Sequence, residues 1–366
     1  MAEALGLARQ GVALTSPNPM VGCVIARGDV VVGRGFHTWD RVKHAEVLAL
    51  EEAGDQARGA DVYVTLEPCS HTGRTGPCAD ALIAAGVARV FAASGDPNPQ
   101  VDGEGFRRLR AAGIEVFLLE EFEEAAAALN EPFFHFAKTG KPLVTLKCAV
   151  TLDGKISAPV DNTGWITSIR ARAHVQTLRH AADVMVTGSG TVLADNPLLT
   201  DRSGLPRSRK LLRVVLDSTL RIPLHSRLVE SVDGDLLIAT TSAASPERRA
   251  ALEARGVEVR VFDGPRGRVD IRDVVAELAA RKYLSVMIEA GSMVNWAALD
   301  SGVVDKVFLY YAPKILGGLQ SLPLAGGAGR QRRTDALVLE RTKLHEIPPD
   351  EFAVEAWVKA ESRRDG

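Results

Sequence analysis

Short β-branched runs alternate with helix-like runs from residue 21 to residue 312, and glycine closes most of the helix-like runs in the first half. Strands joined by helices through short connections bury both faces in a layered α/β sheet, so this alternation excludes all-helical and all-β architectures. In the first half the strands read VGCVIA, VVVGRGF, DVYVTL, ARVFAAS and IEVFLL, the first two flanking Gly28-Asp29 as a hairpin. The helices read HAEVLALEEAG, CADALIAAG and GEGFRRLRAAG and stop at Gly54, Gly86 and Gly113, because glycine readily takes the left-handed conformation that ends a helix. A helical run over 120–138 leads into TGKP, where Gly140 and Pro142 mark a boundary between domains 1–141 and 142–366. The chain's 366 residues are the length of about two domains. The second half restarts with LVTLKCAV and alternates again: a helix over 168–182, then DVMVTGS, LLRVVLD, DLLIAT, a helix from about Glu247, VEVRVF, a helix over 269–280, LSVMIEA, a helix after Gly291, and KVFLYYAP. No internal repeat, heptad seam or low-complexity tract is present, so solenoids and coiled coils are excluded.

The partners follow from charge. Residues 1–141 hold 13 Lys and Arg against 19 Asp and Glu, and the remainder 31 against 27. An acidic first half speaks against sequence-independent nucleic-acid binding, which needs clustered cations on phosphates. The basic excess of the second half suits a phosphorylated ligand, or a solvated surface at Arg330, Arg332 and Arg333. No stretch approaches the ~18 apolar residues of a membrane span, and MAEALGLARQ carries an acid where a signal peptide wants basic residues. The reading is a cytoplasmic protein without membrane or nucleic-acid partners.

Chemistry concentrates first around His44-Ala45-Glu46, which opens a helix, and around Pro68-Cys69 and Pro77-Cys78, which bracket a loop. Four cysteines are too few for a disulfide framework at this length, and their placement asks for a metal. One imidazole and two thiolates hold zinc tetrahedrally with one position open, the mark of a catalytic site. Cys78 stands at a helix start, where free N–H groups favour its thiolate. Glu46 is placed to touch water rather than metal. Zinc lowers the pKa of that water towards ~7, and Glu46 takes its proton and hands it to a departing amine. H-x-E followed by P-C and a second cysteine is the signature of zinc deaminases. A structural zinc completed by His37 or His71, or a metal-free loop, are the alternatives these residues leave open.

The stretches PNPMVGCVIA, GRGFH, HAEVLAL, YVTLEPCSHTGRTGPCADALI and DPNPQVDGEGFRRLRAAGIEV resemble the bifunctional riboflavin-biosynthesis deaminase-reductase family over nearly a whole deaminase domain. Generic cytidine and tRNA deaminases set their two cysteines close together, whereas SHTGRTGP separates them here. The resemblance implies a cytidine-deaminase-like α/β/α domain with one zinc per chain on His44, Cys69 and Cys78, and a substrate pyrimidine carrying a phosphoribosylamino group. His71 and Arg74 would then offer donors to phosphate, and Glu67 and Asn18 would hydrogen-bond the pyrimidine edge. Asn18, between two prolines, could instead only shape a turn. Two departures fall near this loop: Gly76 where the family usually has proline, and HTWDRVKH, with Trp39 and Arg41, where it usually carries a glycine before the zinc histidine.

No G-x-G-x-x-G follows a strand in the second half, which argues against a standard dinucleotide-binding unit. IEAG followed by SMVNWAAL reads as strand, turn and helix, so the N–H groups after Gly291 could receive a phosphate, or the glycine could be merely steric. LKCAVTLDGKISAP, GWITS, ADVMVTGSGTVLADNPLLT, RVVLDSTLRIP, IEAGSMVNWAAL and FLYYAPKILGG resemble the reductase domain of the same family, which is dihydrofolate-reductase-like and uses NADPH. Carried over, the cofactor positions are Ala149, Trp165, Thr191, Asp195, Ser218 and Gly291, Ser292, Met293, Val294, Asn295, Trp296 and Ala297. The substrate positions are Thr163, Arg179, Leu199, Arg202 and Glu289. Arg179 and Arg202 suit a clamp on the ribose phosphate, because guanidinium forks match phosphate oxygens; the alternatives are a solvated helix face and a loop charge. Hydride would go to C1 of the opened ribose. Lys147 and Asp195 are the candidate proton donors, and Lys147 lies in an apolar strand where a bare charge costs several kcal/mol, so it should face a polar cleft. The implied enzyme replaces an exocyclic amine of a diaminopyrimidine ribosyl phosphate with oxygen and reduces the ribosyl chain to ribityl, with a homo-oligomer possible. The alternatives are a zinc deaminase of another nucleoside or nucleotide with a non-catalytic second domain, and a nucleic-acid-editing deaminase.

Overall fold

The computed structural model describes residues 1–98 and 103–362. Pro99, Gln100, Val101 and Asp102 of the DPNPQVDGEGF stretch lie outside the described residues. The chain divides into two compact units, Met1–Gly140 with Pro206–Arg209, and Lys141–Leu205 with the chain from Lys210 on.

The first unit runs α1 (Ala2–Arg9), β1 (Gly22–Arg27), β2 (Val30–Phe36), α2 (Ala45–Ala53), β3 (Asp61–Val64), α3 (Cys78–Ala85), β4 (Arg89–Ala92), α4 (Glu104–Ala111), β5 (Glu115–Leu118), α5 (Glu123–Leu129) and α6 (Glu131–Thr139). Its sheet has the order β2-β1-β3-β4-β5, with β3, β4 and β5 parallel and the hairpin strand β1 antiparallel to β3. Ile25, Val62, Val64 and Val90 of the sheet pack against Ala49, Leu82 and Leu109 of the helices in one buried cluster. The helix face is alanine because β2 comes very close: a Cβ on Gly35 would stand 2.1 Å from the Ala45 carbonyl oxygen, and one on Gly33 2.2 Å from that of Ala49. Thus VGRG lets α2 lie directly on the sheet and fixes where its first residues point.

The helical run expected over 120–138 is broken. Glu120–Phe122 is a 3-10 turn, and α5 and α6 are separated at Asn130, whose φ of −106° and ψ of 26° are non-helical. The Asn130 amide accepts from the Met20 N–H at 2.7 Å and donates to the Met20 carbonyl at 2.8 Å. This pairing holds the break, and Pro132, which has no N–H to give, starts a new helix beside it.

The second unit runs β6 (Leu143–Thr151), β7 (Lys155–Ser157), α7 (Ile169–Ala181), β8 (Val184–Gly188), α8 (Ser189–Asp195), β9 (Leu212–Leu216), α9 (Arg227–Glu230), β10 (Leu236–Thr240), α10 (Pro246–Glu253), β11 (Glu258–Val261), α11 (Ile271–Ala280), β12 (Ser285–Ile288), α12 (Ser292–Asp300), β13 (Lys306–Ala312), β14 (Leu322–Pro323), β15 (Leu339–Ile347) and β16 (Glu351–Val358). The large sheet has the order β11-β10-β9-β8-β12-β6-β13-β16-β15. Neighbours from β11 to β13 are parallel, and β16 and β15 add an antiparallel edge. The chain leaves β6, builds outward from β8 to β11, and returns to insert β12 between β8 and β6. Ligands of such sheets bind outside the carboxyl ends of the strands where the winding reverses. Here that place lies at the ends of β6, β12 and β8.

Candidate active sites

His44 is the N-cap of α2, and Glu46 stands in the first turn of that helix with a carboxyl only 3% exposed. Cys78 opens α3, and the loop from Cys69 brings its sulfur alongside. His44 Nδ1 lies 3.2 Å from Cys78 Sγ and 3.5 Å from Cys69 Sγ, and the three ligand atoms all lie within 4.8 Å of one another. A tetrahedral zinc with Zn–N near 2.0 Å and Zn–S near 2.3 Å has an N-to-S edge of about 3.5 Å, so this donor set fits that metal. The free N–H groups at the start of α3, expected to favour the Cys78 thiolate, serve Cys69 as well. The Cys78 N–H, freed by the helix start, donates to Cys69 Sγ at 3.3 Å. The Cys69 thiol is held down to about 4, first by the hydrogen bond from the Cys78 thiol and also by His44, while Cys78 is pushed up by sharing that proton, by burial and by the charge of Glu46. Glu46 itself is raised to about 7, by burial first and by the Cys69 charge second. A carboxyl poised there can both accept and return a proton near neutrality.

Around the centre, sequence expectations divide. His37 Nδ1 lies 3.0 Å from the Lys43 carbonyl, to which it must donate, so Nε2 of the neutral ring accepts from the Asn18 amide NH2 at 3.0 Å. Burial lowers the His37 pKa and keeps it neutral. The Asn18 carbonyl oxygen is thereby directed away from His37. His37 packs edge-on to His44 at 5.2 Å between centroids and supports that ligand. Glu67, expected at the pyrimidine edge, is committed elsewhere. Its buried carboxylate accepts from the backbone N–H groups of Asp96 (3.2 Å), Gly103 (3.0 Å), Gly105 (2.8 Å) and Phe106 (3.3 Å). It caps α4 and ties that helix to the strand end that carries Cys69; a Cβ on Gly105 would stand 2.0 Å from the Pro68 carbonyl oxygen, so only glycine permits this approach. His71 and Arg74 are exposed on the loop, and the Arg74 guanidinium lies 4.4 Å above the Trp39 ring.

In the second unit three expected residues meet. Lys147 Nζ and Arg179 Nη2 each lie 2.5 Å from a different oxygen of Glu289, and all three side chains are at most 15% exposed. Lys147 stands midway along β6, and Glu289 directly follows β12, whose last residue Ile288 pairs with Leu146 beside it. Burial pushes the Glu289 carboxyl up, but the Lys147 and Arg179 charges outweigh it and hold it below the usual range. Arg179, expected on a phosphate, also donates from Nε to Glu289 at 2.9 Å and from Nη1 to the Thr200 carbonyl at 3.3 Å. Arg213, which the sequence reading passed over, holds the loop after α8: it is 1% exposed and donates to the Leu198 carbonyl at 3.1 Å and to Asp235 at 2.6 Å. Its one signal was a cation in the apolar run LLRVVL, the signal already used for Lys147. Leu199 is buried in this loop with φ +54°, and Arg202 is exposed with its N–H on Gln176.

The expected cofactor residues fall in several places. Gly291 is the N-cap of α12, and Thr191 Oγ1 would lie 3.8 Å from a Cβ placed on it. Ser292 is 4% exposed and its Oγ has no partner among the described residues. An orphaned buried hydroxyl at a helix start fits a bound phosphate or ribose hydroxyl of a dinucleotide. Asn295 donates to the Leu324 carbonyl at 2.8 Å, and Ala149 follows Lys147 on β6. Ser218 Oγ accepts from the Val269 N–H at 3.2 Å, and Asp195, the last residue of α8, has its pKa raised by burial. Trp165 is 67% exposed beneath the Arg172 guanidinium, and Met293 is 64% exposed. Thr163 is exposed and bonded to Asp161. Arg330, read as a solvated charge, is instead 10% exposed, paired to Asp300 at 2.7 Å and stacked over Trp296. Among the described residues no helix is long and apolar enough to cross a membrane.

Residues 1–94 match the model of the cytidine and deoxycytidylate deaminase zinc-binding region, and residues 142–351 match that of the RibD C-terminal domain. The chain is 41% identical over 340 residues to a riboflavin biosynthesis protein RibD of Actinobacillus pleuropneumoniae, covering 93% of this chain and 90% of the relative. To the protein of that name from Escherichia coli it is 41% identical over 369 residues, covering 96% of each. The solved structure of Acinetobacter baumannii RibD superposes with a TM-score of 0.86 at 34% identity, over 98% of this chain and 97% of that one. A deaminase/reductase from Thermotoga maritima superposes with a TM-score of 0.82 at 33% identity, over the same 98% and 97%.

Proposed function

Because the chain belongs to the RibD family of riboflavin biosynthesis proteins, a zinc-binding deaminase joined to an NADPH-dependent reductase, we propose how its residues divide the work. The substrates are those in the name of the Thermotoga relative: a diaminohydroxyphosphoribosylaminopyrimidine is deaminated, and the resulting 5-amino-6-(5-phosphoribosylamino)uracil is reduced. Deamination is the task of residues 1–141 and reduction that of residues 142–366, in a cytoplasmic enzyme of small molecules with no membrane or nucleic-acid partner.

For deamination, His44, Cys69 and Cys78 hold the zinc. The metal, when bound, supplies the Lewis acidity that makes water a nucleophile near neutral pH. Glu46 takes a proton from that water and returns it to the exocyclic nitrogen, so that ammonia leaves and oxygen stays on the ring. Asn18, oriented by His37, meets the pyrimidine edge, and His71 and Arg74 meet the phosphate. Glu67 holds the loop carrying Cys69.

For reduction, NADPH supplies a hydride to C1 of the opened ribose. Ala149, Trp165, Thr191, Ser218 and the start of α12 hold this cofactor. Lys147 gives a proton to the developing alkoxide or amine, with Asp195 the second candidate donor. Glu289 orients Lys147, Arg179 braces Glu289, and Thr163, Leu199 and Arg202 contact substrate. The observation that carries the reading is the joint presence of a His-Cys-Cys cluster beside a buried glutamate and a lysine-glutamate-arginine group at the switch point of a parallel sheet. Mass spectrometry of the purified chain with the diaminopyrimidine tests it. Loss of one amine without NADPH, followed by gain of two hydrogens with it, is expected. A product reduced but still carrying both amines would contradict the assigned order.

A further inference from the structure

Trp39, partly buried, and Arg74, exposed, come from different loops and meet. The Trp39 side is fixed by its own backbone. Its N–H donates to the Leu14 carbonyl at 2.7 Å, and His37 two residues earlier is tied to Val21 and to Lys43. The Arg74 side is supported only within its own loop, where the Gly73 N–H donates to the Thr75 carbonyl at 3.1 Å. His71, Thr72, Gly73, Arg74 and Gly76 are all exposed, and Cβ atoms placed on Gly73 or Gly76 would meet nothing within 4 Å. No packing therefore requires glycine at either position, and both leave the loop backbone with wide freedom. What holds Arg74 is Trp39: the guanidinium carbon lies 4.4 Å above the indole, and Nη1 donates to the Trp39 carbonyl at 3.2 Å.

We propose that Trp39 is a positioning residue for the deaminase, acting through Arg74 to present a preformed edge of N–H donors to the substrate's phosphate. The inference rests on the reading of Arg74 as a phosphate contact. A guanidinium has five N–H donors. One goes to the Trp39 carbonyl and the indole covers one face, so the remaining edge is left in a single plane for bidentate contact with phosphate oxygens. A long side chain on a glycine-flanked loop would otherwise be ordered only on binding, and holding it beforehand removes that cost from affinity. The effect belongs to KM, because the phosphate is remote from the ring carbon that loses its amine.

The experiment compares deaminase kinetics on the phosphorylated pyrimidine and on its dephosphorylated counterpart, with zinc stoichiometry measured for each variant. Trp39→Ala and Trp39→Leu, the second keeping apolar bulk without an aromatic face, should raise KM for the phosphorylated substrate by about tenfold, the size of a stacking contact plus one ordered side chain. Turnover number and zinc content should stay near wild type, and KM for the dephosphorylated substrate should not move. Trp39→Phe should recover most of the affinity. Arg74→Ala should raise KM at least as much, and adding Trp39→Ala to it should change nothing further. An equal rise of KM on both substrates, or additive losses in the double variant, would overturn the role of Trp39 while leaving Arg74 as a phosphate contact. An Arg74→Ala enzyme with unchanged KM would overturn the phosphate reading and this inference with it.

Discussion

Replacing Glu289 by glutamine should unfold the reductase unit at markedly lower temperature. Its carboxylate lies between Lys147 and Arg179, each 2.5 Å away, with all three side chains largely shielded from water. A glutamine keeps the shape but has one acceptor oxygen, so its NH2 must face one of the two cations. The change removes the anion that lies between these two buried positive charges. Removing one partner of a buried ion pair costs about 3–5 kcal/mol, which for a unit of about 220 residues corresponds to roughly 6–20 °C in Tm. Lys147→Met is the internal control. It leaves Glu289 paired with Arg179 and no uncompensated charge, so it should cost clearly less than Glu289→Gln while still abolishing reduction. The sign of the pH dependence follows from the lowered pKa of Glu289. The folded state holds its proton less tightly than the unfolded one, so the stabilisation is complete above the ordinary carboxylate range and is lost as pH falls through the depressed value. The gap in Tm between wild type and Glu289→Gln should therefore be full at pH 7 and narrow below about pH 4. Tryptophan fluorescence is a suitable probe, since Trp165, Trp296 and Trp357 lie in this unit and Trp39 alone in the other. An unchanged Tm for Glu289→Gln at pH 7, or an equal fall for Lys147→Met, would refute the argument.

Glu46→Gln should keep its zinc while deaminase turnover falls by about 10²–10⁴, the usual share of a positioned proton carrier; loss of zinc in metal analysis would make Glu46 structural. Cys78→Ser should lose the metal, because an alcohol is a much poorer zinc ligand than a thiolate, and a fully metallated, active protein would count against the assignment. Arg202→Ala should raise the reductase KM more than it lowers kcat, as steady-state kinetics would report. Residues 1–141 expressed alone should deaminate without NADPH, and residues 142–366 should reduce the pre-deaminated substrate without zinc. Soluble fragments that each lack their activity would move the functional boundary.

What the sequence made legible was whatever short-range pattern encodes. The alternation of strands and helices, the glycines that end helices, and the His-x-Glu and Pro-Cys elements are all local signals. β15 was missed because its residues are charged and nearly all exposed, as suits an edge strand, and so carry no apolar period. The partners of Glu67 were not legible because they are backbone N–H groups between Asp96 and Phe106, which have no side-chain signature. The pairing of Arg179 with Glu289 was not legible because the two stand 110 residues apart. For Glu67 and Arg179 the residue type announced a polar task, and only the fold shows which partners each side chain takes.

The two centres also differ in how much chain must exist before they can form. His44 and Cys78 are separated by 34 residues, whereas Lys147 and Glu289 are separated by 142. Domains fold as they emerge at about 5–20 residues per second, so Glu289 follows Cys78 out of the ribosome by roughly 10–40 s. Because β12 enters between β8 and β6 only after β9, β10 and β11 have been made, the central gap of the large sheet stays open while residues 189–284 are synthesised, roughly 5–20 s. A nascent chain thus holds a complete set of zinc ligands well before it holds any reductase centre, and a translation product that stops short of residue 285 carries Lys147 and Arg179 with no counter-ion between them and a sheet lacking its middle strand.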